Sequence, residues 1–224
     1  MKTYDEITKK EIQNPDLIKG FLYEGTIVTG KTEPKTVIMN GSITSDRLEG
    51  LREYTPAEDI VEVCQYYHAY TEEDKQQALS EKLTSLKLSK DARIKNGTDV
   101  YLSDGTKKHF FYGISEQTDI GTMFNAVMLG MDSYIYHSGD GCDIYGKEDI
   151  IRIHSTLSSL KTKEETYYGQ LTKYVNTLTT IPEIQNVTYG MELTGTYLEE
   201  YNRLLAYAMT QMQNLIERLT SNVT

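Results

Sequence analysis

Hydrophobic positions along this chain recur at two periods, and the change of period marks the elements. Residues 96–146 hold short apolar runs separated by turn residues. NGTDVYLSDGTKKHFFYG (96–113) reads as strand, Asp104-Gly105 turn and strand, and SYIYHSGDGCDIYG (133–146) reads as a second hairpin around Asp140-Gly141. An Asp-Gly step between apolar runs signals a hairpin because those residues accept the positive φ of a tight turn. Thr118–Leu129 reads as a short helix between the hairpins, and a further helix opens at Lys147. The order is hairpin, helix, hairpin, helix.

The flanks are read the same way. A short helix is expected over 4–13, ended by Asn14-Pro15, followed by a strand over 20–30 and a hairpin closed by Asn40-Gly41. Thr55-Pro56-Ala57-Glu58 carries the signs of a helix start, which predicts a helix to about Tyr70. Thr71 with Asp74 opens another, reaching about Lys95 with Leu79, Leu83 and Leu86 on one stripe. Thr162 with Glu165 is a further capping box and divides 147–178 into two helices, the second carrying Tyr168, Leu171, Val175 and Leu178. Pro182 ends that region, and 183–195 reads as extended or loop. In the last segment Leu198, Tyr201, Leu205, Ala208, Met212, Leu215 and Leu219 alternate at spacings of three and four, the pattern of a packed helix seam. Leu198, Tyr201, Leu205, Met212, Leu215 and Leu219 are therefore the candidate interface residues.

The fold class expected is α+β. An N-terminal β-containing docking unit (1–70) leads through a helical connector (71–93) to a central hairpin–helix–hairpin–helix module (94–180) and a C-terminal helical segment (181–224).

Composition changes this picture in two ways. There are 18 Tyr against 4 Phe and no Trp, and a ring with a polar tip suits half-wet interfaces. The net charge of −10 is unevenly spread: residues 51–74 hold one positive and seven negative side chains, whereas 75–110 hold eight positive and four negative. Overall acidity argues against a nucleic-acid partner, which recruits Lys and Arg to phosphates. No apolar run is long enough to span a membrane, and the charged start MKTYDEITKKEIQ is unlike a signal peptide. Two cysteines, Cys64 and Cys142, make no disulfide framework.

Few motifs point to chemistry. Gly25–Thr32, GTIVTGKT, satisfies the P-loop formula, but the phosphates need a helix after the loop. Here Pro34 and a strand-like run follow, so the match reads as a strand ending in a polar turn. Cys64 and His68, four apart on the expected helix, make half a zinc site by spacing, and His137 and Cys142 a second half. Ordinary packing is the better account of both. His109, His137 and His154 lie in the central module beside aromatic or apolar residues. Ser138, His137 and Asp140 are too close in one turn to act as nucleophile, base and orienter. The acidic pairs Glu148-Asp149 and Glu164-Glu165 fall in expected first turns of helices, where carboxylates favour the macrodipole. No catalytic, cofactor-binding or metal residues are assigned.

The module DARIKNGTDVYLSDGTKKHFFYG…EQTDIGTMFNAVMLG…YIYHSGDGCDIYGKEDIIRIH resembles a small domain of unknown function found in bacteriophage tail-associated proteins. The features that carry it are the first strand pair, Gln117 before the helix, the aromatic hairpin at Asp140-Gly141, and the acidic-capped helix from Lys147. Relatives often carry Trp in the second hairpin where this chain has Tyr134 and Tyr136. The resemblance covers about 93–178 and transfers no catalytic residues. It implies a non-enzymatic structural component of a phage, prophage or tail-like particle, in the baseplate or tail-fibre attachment region. The implied partners are other tail or baseplate proteins, a tail fibre, and further copies of the chain within the particle. A cytoplasmic tail-fibre assembly chaperone is the alternative, and a nucleotide-binding enzyme a third reading.

Overall fold

The computed structural model describes the backbone of residues 1–38, 52–138 and 141–221. The fold is mixed α+β, with an N-terminal sheet and C-terminal helices. The chain divides into two compact units, Met1–Asp74 and Lys75–Thr224.

In the first unit the order is β1 (Thr3–Asp5), β2 (Gly20–Lys31), β3 (Lys35–Ile38), β4 (Arg52–Thr55) and β5 (Asp59–Ala69). β5 is the centre of a three-stranded sheet, with β2 antiparallel on one side and the short β1 parallel on the other. β3 and β4 form a second antiparallel pair. Counting on from the Lys31–Asp59 pairing sets Pro34 opposite Pro56 and arrives at Lys35–Thr55, the first pair of that second ladder. The two ladders are thus one long hairpin, interrupted where two opposed prolines remove both N–H donors. Thr32 and Glu58 brace the approach, Thr32 N–H donating to the Glu58 carbonyl at 2.8 Å and Glu58 N–H to Thr32 Oγ1 at 2.8 Å. Gly20–Ile38 measured along the strand is about 60 Å.

Two expectations change here. Residues 4–13 are not a helix. Thr3–Asp5 pair with β5, and the Asp5 carboxylate accepts from the N–H groups of Ile7 at 3.1 Å and Thr8 at 2.6 Å. That local bond offers the backbone a turn in place of a helix. Nor does Thr55 cap a helix: it ends β4, and Asp59–Ala69 is a strand rich in β-branched and aromatic residues with β2 as its partner. Pairing overrides the capping signal. The Asn40-Gly41 turn lies outside the described residues, and β3 pairs with Arg52–Thr55.

The second unit takes the body of α1 (Glu72–Asn96), then β6 (Thr98–Tyr101), β7 (Lys107–Phe110), α2 (Ile114–Met128), β8 (Ser133–Ser138), β9 (Gly141–Gly146), α3 (Lys147–Val175), α4 (Ile181–Asn186) and α5 (Gly195–Ser221). Thr71 and Asp74 form the expected box at the head of α1, with Asp74 N–H on Thr71 Oγ1 at 3.1 Å and Thr71 N–H on the Asp74 carboxylate at 2.8 Å. The β6–β7 turn places Gly105 at φ +84°, as its Asp-Gly step requires. α2 begins four residues before the expected Thr118.

Two cores organise this unit. Phe110, Ile120, Met123, Tyr136, Tyr145, Ile150, Ile153 and Leu157 close the hairpins and α2 onto the first half of α3. Leu86, Leu171, Val175, Val187 and Leu193 join α1, the second half of α3 and the segment after α4, with Leu79, Leu83 and Tyr168 packed around them. α3 passes through both, so it is one helix of 29 residues and Thr162 does not divide it. A break there would open the backbone between the two buried stripes. Pro182 does not end the order either. Thr180 and Glu183 complete a capping box around it, and the first residues of the expected loop are helix α4.

Candidate interaction surfaces

In the first unit only Gly20, Cys64 and Tyr66 are buried among the residues whose side chains are described. β2 and β5 carry Val28, Val61 and Val63 on one face at 54%, 54% and 62% exposure. The outer edge of β2 has no neighbouring strand among the described residues, and β1 covers only Gln65–Tyr67 on the other edge of β5. An open sheet edge with apolar faces is a template for another chain.

The P-loop match lies within this strand. Gly25 faces Cys64 across the ladder, and a Cβ on it would come within 2.6 Å of the Tyr66 ring. Gly30 is at a register shift, Lys31 pairs with Asp59 at 3.5 Å, and Thr32 accepts from Glu58. Each residue of the formula has a role in the hairpin, and extended backbone does not curl its N–H groups into a phosphate cradle.

Cys64 and His68 lie on one face of β5 rather than on a helix. Cys64 is buried, whereas His68 is held between two carboxylates. Its Nδ1 meets Glu6 Oε2, and its Nε2 meets Asp74 Oδ2 at 3.3 Å, with Phe21 against the ring at 5.1 Å. Carboxylates only accept, so both ring nitrogens must donate, which is the imidazolium. The hydrogen bond to Glu6, then that to Asp74, raises the His68 pKa. Asp74 is lowered to about 2, by the Thr71 hydroxyl and N–H before His68.

In the second unit, His109 bridges Asp99 Oδ1 at 2.8 Å and the Asn96 carbonyl at 2.8 Å. His137 meets Cys142 across the β8–β9 ladder, Nδ1 to Sγ 2.6 Å. His154 stacks on Phe124 at 3.8 Å, and burial alone lowers its pKa. Glu148 and Asp149 lie in the first turn of α3, as expected. Glu164 does not: it is mid-helix and buried, accepting from the Tyr189 hydroxyl at 2.8 Å with Arg93 at 3.8 Å. Burial, then the bond to Glu164, pushes the Tyr189 phenol up. This cluster ties α1, α3 and the 187–193 segment together. No group of three or more His, Cys, Asp or Glu placed to hold a metal occurs among the described residues.

Of the seam residues on α5, Leu198, Tyr201, Leu205, Met212 and Leu215 are all half-buried. Leu198 and Tyr201 pack on the second core and Leu215 on the first, so the helix runs along α3 and touches both. The side chain of Leu219 lies outside the described residues.

A groove that periodicity did not reveal lies beside β8. It encloses about 720 Å³ and is lined by Ser133 through His137, by Asp119 and Thr122 of α2, and by Met131 and Ile144. No family model, curated protein or solved structure matches the chain. No helix among the described residues is long and apolar enough to cross a membrane.

Proposed function

We propose that this chain is a non-enzymatic structural component of a bacteriophage, prophage or phage tail-like particle, in the baseplate or tail-fibre attachment region. The observation that carries the reading is the N-terminal hairpin. An extended hairpin about 60 Å along the strand with open edges, exposed Val28, Val61 and Val63, and three buried residues is poorly matched to standing alone in water. It suits a clasp laid onto another protein, with main-chain hydrogen bonds supplying affinity. The second unit has its own two cores and offers a separate surface, so one chain can bridge two partners. The order of elements from β6 to α3 supports the tail assignment through the resemblance of the central module.

Mass spectrometry of gradient-purified tails tests this. Peptides of the chain at a fixed ratio to a major tail protein are the expected result. Peptides found only in the soluble lysate overturn it and assign the chain to fibre assembly as a chaperone. Titration calorimetry with ATP and GTP is expected to show no heat of binding. Micromolar binding lost in Lys31→Ala would return the third reading, a nucleotide-dependent enzyme.

A further inference from the structure

The groove beside β8 follows the edge of the strand rather than one of its faces. Successive side chains of a strand point to opposite faces, so a cavity on one face touches alternate residues. This one touches all five residues from Ser133 to His137. β9 is the only strand neighbour of β8 among the described residues, so no described strand pairs with the opposite edge.

The register identifies the groups on that edge. Lys147 N–H donates to the Asp132 carbonyl at 2.8 Å, one step beyond the Ser133–Gly146 pair. Hydrogen-bonded and non-bonded pairs alternate in an antiparallel ladder. Tyr134 and Tyr136 therefore direct their backbone groups toward β9, and Ser133, Ile135 and His137 direct theirs outward, along the groove. Across it stand Asp119 and Thr122, both exposed, on α2. Ile135 and its cross-strand partner Ile144 are 51% and 72% exposed on the outer face.

We propose that this groove takes an extended, basic segment of a partner protein as a third strand beside β8, its main chain on Ser133, Ile135 and His137 and a Lys or Arg facing Asp119. The partner's sign follows from the walls: Asp119 lines the groove, and no Lys or Arg does among the described residues. Burial, then Glu116 and Asp119, raises the Tyr136 phenol, and Lys108, which does not line the groove, opposes them. A second copy is disfavoured, because residues 51–74, which include β4 and β5, carry one positive against seven negative side chains, and residues 20–38, which include β2 and β3, carry two against two and so bring no net positive charge. The groove extends the assembly role proposed above, but its test uses the isolated chain and does not depend on finding tails.

The probes are a capped threonine–valine–lysine–valine–threonine pentapeptide, its glutamate-for-lysine counterpart, and the lysine peptide methylated on every backbone nitrogen. Amide ¹H–¹⁵N spectra of the full chain report binding. Saturable shifts at Ser133, Ile135 and His137 are expected with the lysine peptide. The glutamate peptide should bind several-fold more weakly, and the methylated one should produce no shifts. Asp119→Asn is expected to abolish the preference for lysine, and Thr122→Trp, an exposed change on α2, to block the site with the fold unchanged by circular dichroism. Absence of shifts at those three amides, or equal shifts with the methylated peptide, overturns the proposal. So does a doubling of mass with the same shifts in the absence of peptide, which would give the groove to a second copy.

Discussion

Gly25 is glycine because Tyr66 needs the space above it. The Tyr66 ring lies across the ladder there, its hydroxyl donates to the Thr26 carbonyl at 2.9 Å, and Lys9 Nζ stands 4.1 Å from its centroid. Gly25→Ala puts a Cβ 2.6 Å from the ring, so it is expected to cost about 1–3 kcal/mol in the unfolding free energy of the first unit, measured by denaturant titration. His68 sets a pH dependence whose sign follows from its partners. Its raised pKa stabilises the folded state below the ordinary value of 6.5, and this is lost as pH rises through the folded value. Glu6 is lowered by His68 first and then Tyr23, so its contribution is present above its ordinary 4.5 and lost as pH falls. The first unit is most stable between those limits. Thermal melts of the first unit are expected to peak there, and His68→Gln to flatten the fall on the alkaline side. A fall of the same size in that variant would show that His68 is not its source.

At the level of elements, α3 determines the second unit because both cores lie along it. Leu157 is fully buried in the first core, so Leu157→Ala is expected to cost about 2–5 kcal/mol. α5 rests on α3 through half-buried residues, which gives a graded test. Leu198→Asp and Leu215→Asp press an unpaired charge against apolar neighbours and should lower the melting temperature. Tyr207→Asp, at a residue 63% exposed, should leave it unchanged. Equal effects at all three positions would mean that the seam is not the packed face.

At the level of the whole molecule, burial is unevenly divided. The first unit buries three of its described residues, whereas the second closes two cores. Stability is expected to follow that division. In hydrogen exchange, amides of α2 and α3 should be protected longest, and those of β2 and β5 beyond the base of the hairpin should exchange first. Slower exchange in β2 than in α3 would contradict it.

Local chemistry alone determined much of this protein. The Asp104-Gly105 turn, the second hairpin, the Thr71 cap and the long final helix were all legible, because each rests on residues within a few positions of one another. The extended conformation of Gly25–Thr32 was legible for the same reason, since Pro34 and a strand-like run follow where a phosphate loop needs a helix. Where a distant partner competed, tertiary structure decided. TPAE at residues 55–58 is a sound helix start, yet β2 made Asp59–Ala69 a strand. Thr162 is a sound cap, yet buried stripes on either side kept α3 whole and drew Glu164 inside, to Tyr189 and Arg93. Glu6, His68 and Asp74 meet only because β1 pairs with the end of β5 close to the head of α1, and periodicity carries no signal for that. The groove beside β8 likewise exists only because α2 packs against a hairpin whose outer edge has no neighbouring strand among the described residues, a vacancy set by packing between elements rather than by the pattern within either.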